Sequence, residues 1–98
     1  MAGDAVQVAG DFYKVLVEND KVRVLEYRGP PGAKTAMHSH PAVVACPITS
    51  GKFRFTMPDG QSMELEIKAG EAMYMDASSH ATENVGTSEG HVILVELK

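Results

Sequence analysis

Apolar and polar side chains alternate along this chain with a period of two, and turn residues break the alternation about every six to ten positions. No segment keeps the three-and-four apolar spacing of a helix. A chain so patterned buries its apolar sides through short strands, packed as a sandwich or closed as a barrel. The pattern predicts strands over 12–17, 22–28, 35–38, 43–49, 52–57, 62–67, 72–75, 81–85 and 92–97. The clearest is 52–57, with Phe53, Phe55 and Met57 on one face and Lys52, Arg54 and Thr56 on the other. Gly29-Pro30-Pro31-Gly32 stops the second strand, because proline cannot donate to a ladder. Pro58-Asp59-Gly60 predicts a tight hairpin turn. Residues 1–11 carry no pattern beyond Val6 and Val8 and are expected to be loose, leaving 12–98 as one all-β domain.

Composition narrows the function. A chain of 98 residues allows one domain. Its 9 Lys and Arg against 13 Asp and Glu give a net charge of −4, a poor match to a phosphate backbone, so no nucleic-acid partner is expected. Cys46 is the single cysteine, which excludes an intrachain disulfide. No apolar run approaches the roughly 20 residues of a membrane helix, so no membrane partner is expected either. Met1-Ala2-Gly3-Asp4 is not the start of a signal peptide, and the expected compartment is the cytoplasm.

Chemistry concentrates in His38, His40 and His80. In the segment His38-Ser39-His40 two imidazoles stand at i and i+2. On an extended chain these share one face, their α-carbons about 7 Å apart, and can converge on one ion. A third histidine from a distant strand would complete the set, and imidazole suits zinc, copper, iron and nickel.

The spacing around these residues resembles a known family. Gly32, five residues, His38-Ser39-His40, ten residues and Gly51 are similar to the first motif of the cupins, G-x5-H-x-H-x3-4-E-x6-G. Gly70, five residues, Asp76, then His80 and Asn84 resemble the second, G-x5-P-x-G-x2-H-x3-N. The resemblance implies a double-stranded β-helix, or jelly-roll barrel, with a divalent metal inside held by His38, His40 and His80. Iron(II) is the first choice, with zinc, nickel or manganese as alternatives. Where the family carries a glutamate ligand this chain has Val44, and Asp76 and Ser78 replace the proline and glycine of the second motif. The strand phase is read as pointing Val44 inward with Cys46 and Ile48. A three-histidine set without a carboxylate is similar to the cupins that include thiol dioxygenases and a diketone-cleaving dioxygenase.

Two functions follow as expectations: an iron-dependent dioxygenase acting on a small chelating molecule, or a non-enzymatic module binding a small molecule or metal. Val44, Cys46, Phe53, Phe55, Met73 and Met75 are expected to line the pocket. Tyr74 is the expected catalytic acid or base, Glu83 is expected to point outward, and Asp76 could support a ligating imidazole. His91 is read as an ordinary strand-end histidine. A homodimer is expected, because the strand at 12–17 is apolar on both faces and would leave an exposed edge.

Overall fold

The computed structural model describes residues 3–98. The chain runs β1 (Gly3–Asp4), α1 (Ala5–Val8), β2 (Tyr13–Glu18), β3 (Val22–Gly29), β4 (His38–His40) and β5 (Val43–Pro47), then β6 (Gly51–Thr56), β7 (Ser62–Ile67), β8 (Met73–Met75), β9 (Ser78–Asn84) and β10 (Gly90–Leu97). Two five-stranded sheets form, in the orders β1-β4-β9-β6-β7 and β2-β3-β10-β5-β8. Every pairing between named strands is antiparallel except that of β1 with β4. The inner faces enclose one core, with Leu25 and Tyr27 from β3, Val43 and Ala45 from β5, Phe53 from β6 and Val92 and Leu94 from β10. Among the described residues no helix is long and apolar enough to cross a membrane.

Local chemistry explains the joints. Gly32, Gly60 and Gly70 adopt positive φ angles of 85°, 89° and 83°, a region that glycine enters without strain. Gly60 closes the expected β6–β7 hairpin, where the Asp59 carboxylate accepts from the backbone N–H of Gln61 at 3.0 Å. Asn84, buried at the end of β9, donates to the carbonyls of Gly29 and Ser88 and accepts from the N–H of Gly86. The asparagine of the second motif thus ties two loops together.

Three expectations change. The strand expected over 81–85 covers Ser78–Asn84, because its ladder with His38–His40 extends it through His80. Residues 3–9 are folded onto the barrel instead of loose. Asp4 caps α1 by accepting from the N–H of Val6, and Ala5 and Ala9, one helical turn apart, are both buried. Four helical residues are too few to show a period, so the sequence pattern could not reveal them. The third strand covers His38–His40 instead of 35–38, because its ladder is made with Ser78–His80. Thr35 makes only single contacts: its N–H donates to the carbonyl of Thr82, and its hydroxyl accepts from the N–H of Thr82.

A glycine pair shapes the core beside the pocket. Gly29 of β3 stands opposite Gly90 of β10. A Cβ on Gly90 would lie 2.5 Å from Cζ of Phe53 and 3.1 Å from Cε2 of Tyr27. The missing side chain lets these two rings meet edge to face, with centroids 5.8 Å apart. Gly90→Ala should therefore destabilise the protein by about 1–3 kcal/mol through overpacking. Denaturant unfolding checks this, and a stability equal to wild type would show that the rings can yield.

Candidate metal centre

The register of one strand pair brings the distant histidines together. β4 lies against β9 with His38 directly opposite His80. Alternation then turns His40 to the same inner face as His38, while Ser39 lies on the other face, its hydroxyl paired with that of Ser79 at 2.7 Å. The three imidazole centroids are 4.9, 5.0 and 5.2 Å apart. Each ring offers one nitrogen to a group in which all three atoms lie within 4.8 Å of one another, and all three residues are buried. Three buried imidazole nitrogens aimed at one point are a donor set for a divalent ion.

Hydrogen bonds select which nitrogen is free. The Nδ1–H of His38 donates to the carbonyl of Ala36 at 2.9 Å, so the lone pair is on Nε2, where it accepts from the Tyr13 hydroxyl at 3.3 Å in the absence of an ion. The Nδ1–H of His40 donates to Glu96 Oε2 at 2.7 Å, again leaving Nε2. His80 is held by packing, with its ring edge-on to Phe55 at 5.2 Å. Burial lowers the pKa of His38, and it pushes that of His80 down to about 3, helped by repulsion from His40 and His38. Both imidazoles are therefore neutral at pH 7, the form that binds metal.

Glu96 is the carboxylate of this site. It is 2% exposed, and its other oxygen, Oε1, accepts from Arg23 Nε at 2.8 Å and lies 2.7 Å from a second Arg23 nitrogen. Arg23 in turn pairs with Asp4 of the N-terminal segment. A buried charge needs such partners. Together Asp4, Arg23 and Glu96 carry one net negative charge, placed one hydrogen bond behind a metal-facing imidazole. Tyr13 completes the wall, its hydroxyl 3.3 Å from Nε2 of His38.

The pocket beside the histidines is lined by Tyr13, Tyr27, Ala45, Phe53, Phe55 and Met73 among others, and no Asp, Glu, Lys or Arg side chain lines it. The sequence profile of the cupin domain family matches residues 25–96. The chain is a cupin. It is similar to a cupin domain from Bordetella pertussis Tohama I, with 28% identity and a TM-score of 0.81 over 88% of this chain and 91% of that one. An RmlC-like cupin family protein from Methanocaldococcus jannaschii with a double-stranded β-helix fold shares 18% identity at a TM-score of 0.68, covering 87% of this chain and 77% of that one. At that identity the likeness concerns the fold. Among curated proteins none matches.

Several expected site residues stand elsewhere in this cupin. Phe53, Phe55, Met73 and Met75 do line the pocket. Val44 and Cys46 do not: β5 turns Val43, Ala45 and Pro47 inward, and Val44 and Cys46 face the opposite side. All five residues of β5 are apolar, so no polar contrast reveals its phase, and a one-residue error inverts every side chain. Ile48 lies beyond β5 and is exposed. Ala45 therefore points into the pocket where Val44 was expected, and it still offers no ligand atom. Tyr74 is also misplaced, being 59% exposed on the outer face of β8 beside the Asp76 carboxylate, and Asp76 itself is exposed. A tyrosine does stand at the histidines, but it is Tyr13. Glu83 points outward to pair with Arg54, and His91 pairs with Glu26 on the outer surface.

Glu96 and Arg23 carried a readable signal. Glu96 shares the phase of Val92 and Leu94, and Arg23 that of Leu25 and Tyr27, so alternation alone turns both inward. Tyr13 carried none, since β2 is apolar at Tyr13, Val15, Leu16 and Val17 alike.

Two outcomes follow. Glu96→Gln keeps an oxygen acceptor but removes the charge behind His40, and it should weaken divalent-metal binding about 10- to 100-fold. Competition against a chelating dye measures this, and an unchanged affinity would count against the carboxylate's role. In metal-free protein, His80 has a pKa of about 3 when folded against 6.5 as a free group. The unfolded chain binds the extra proton first, so the stability from this group is present above about pH 6.5 and is lost as pH falls towards 3. Melting temperature should drop across that window, and His80→Phe should flatten the drop. Parallel curves for the two proteins would refute it.

Proposed function

We propose that this cupin is an iron(II)-dependent enzyme that oxidises a small molecule able to chelate the ion through His38, His40 and His80. The observation that carries this reading is the convergence of three buried imidazoles at the polar end of an apolar pocket. A divalent ion held there supplies Lewis-acid chemistry and, as iron, redox chemistry with oxygen. The protein's own groups bind, orient and exclude water. Glu96 fixes the tautomer and direction of His40. Burial raises the pKa of Tyr13, so its hydroxyl stays protonated and donates a hydrogen bond. Phe53, Phe55, Met73 and Met75 surround the site with apolar surface. With no carboxylate lining the pocket and Tyr13 held protonated, side-chain acid–base catalysis is poorly supported, which favours chemistry at the ion. Elemental analysis should find one ion per chain, lost in His80→Ala. The iron-loaded protein should take up oxygen with a small chelating substrate. Stoichiometric metal without oxygen uptake on any such compound would favour the binding module instead, and no metal even after reconstitution would sink the enzyme and leave only a module that binds a small molecule.

The same proposal extends to assembly as a homodimer. Across the outer face of the second sheet, Val17, Val24, Val95, Val44 and Tyr74 stand in one register row over all five strands, with Ile93 and Cys46 in the next. Val17 is 51% exposed at the edge of this row, with Leu16 next to it also exposed. Two copies packed face to face would cover a row about 19 Å wide, and a two-fold pair is the commonest closed assembly. Light scattering at micromolar concentration should give about twice 10.5 kDa; the monomer mass would overturn the pairing.

A further inference from the structure

One buried polar atom in the pocket lacks a partner. Thr82 lies two residues beyond His80 on β9, on the same inner face, and is 5% exposed. Its Oγ1 makes no hydrogen bond. The Tyr13 hydroxyl is near enough to feel this oxygen, but the two lack hydrogen-bond geometry. Nearly all other buried polar groups in a folded protein are satisfied, and an orphan of this kind costs stability. Valine has the same shape and would pack here without that cost. Thr82 and Tyr13 therefore place two hydroxyl donors side by side at the histidine end of the pocket, and Tyr13 Oη already stands 3.3 Å from the metal-facing nitrogen of His38.

The remaining wall fixes what else a ligand can carry. The lining is Tyr27, Ala45, Pro47, Phe53, Phe55, Ile67 and similar side chains, with no charged group to pair with an ammonium or a second carboxylate. Such a group would be buried without a partner. The cavity is about 50 Å³, room for about four water-sized groups. We propose that the pocket binds a short aliphatic monocarboxylate, its carboxylate chelating the ion and accepting from the hydroxyls of Thr82 and Tyr13, its alkyl group on the aromatic and methionine wall. This rests on the metal reading above and adds the ligand class to it.

Pentanoate and 4-aminobutyrate test it, being nearly the same shape with the terminal methyl of one replaced by an ammonium in the other, too far from the carboxylate to close a small chelate ring on the ion. The probe is the visible spectrum of the cobalt(II)-loaded protein. Pentanoate should shift the spectrum saturably, and 4-aminobutyrate should bind at least about tenfold more weakly. Thr82→Val should bind pentanoate about tenfold more weakly with cobalt affinity unchanged. Without metal or ligand, the same variant should melt a few degrees higher than wild type, because it removes an unsatisfied hydroxyl; a simple packing defect would lower the melt. Cobalt uptake with equal pentanoate affinity in the variant, or equal or tighter binding of 4-aminobutyrate, overturns the ligand class alone. Absence of cobalt uptake by wild type overturns the metal reading and this proposal with it.

Discussion

The hydrogen bond from His40 to Glu96 organises this protein. A carboxylate at 2% exposure is untenable alone, and it holds its place because His40 and Arg23 approach it from two sides. The same contact fixes which nitrogen of His40 faces the centre. It also places negative charge behind a site whose three candidate ligands are all imidazoles. Arg23 extends the chain of contacts to Asp4, so the N-terminal segment is tied to the site through ion pairs as well as through the burial of Ala5 and Ala9. The cupin motif places a carboxylate among the ligands themselves; this chain places one behind a ligand, from its last strand.

The sheets supply the rest of the geometry. Antiparallel pairing of β4 with β9 makes His38 and His80 neighbours although 42 positions separate them. Once that register is set, the period of two leaves no choice for His40. It also sends Thr82 inward after His80 and Ala45 inward after Val43. Polar chemistry is thereby confined to one end of a cavity whose remaining wall is aromatic rings, methionines and aliphatic side chains, a place where a few polar contacts weigh heavily.

Legibility varied with contrast. Strands such as Gly51–Thr56 and Ser62–Ile67, with charged residues alternating against apolar ones, could be placed within a residue or so. Phase failed where both faces are apolar. β5 offers no polar residue to mark its outer side, and Val44 and Cys46 were consequently assigned to the pocket. β2 hid Tyr13 in the same way, while Tyr74, flanked by two methionines, looked equally plausible. The outer row of Val17, Val24, Val95, Val44 and Tyr74 is the physical origin of this ambiguity, because a second apolar face removes the contrast that alternation depends on.

The amino-acid sequence by itself determined the all-β class, most of the turns and the three histidines with their motif spacing, because these depend on local backbone preference and on periodicity within a strand. Gly32, Gly60 and Gly70 belong to that group, since each answers to its own φ. Only the tertiary structure decided which tyrosine and which carboxylate attend the histidines, which face of β5 meets the pocket, and that Thr82 stands without a partner. Those outcomes depend on pairing between strands far apart in the chain, and a register shift of one residue would have reversed each of them.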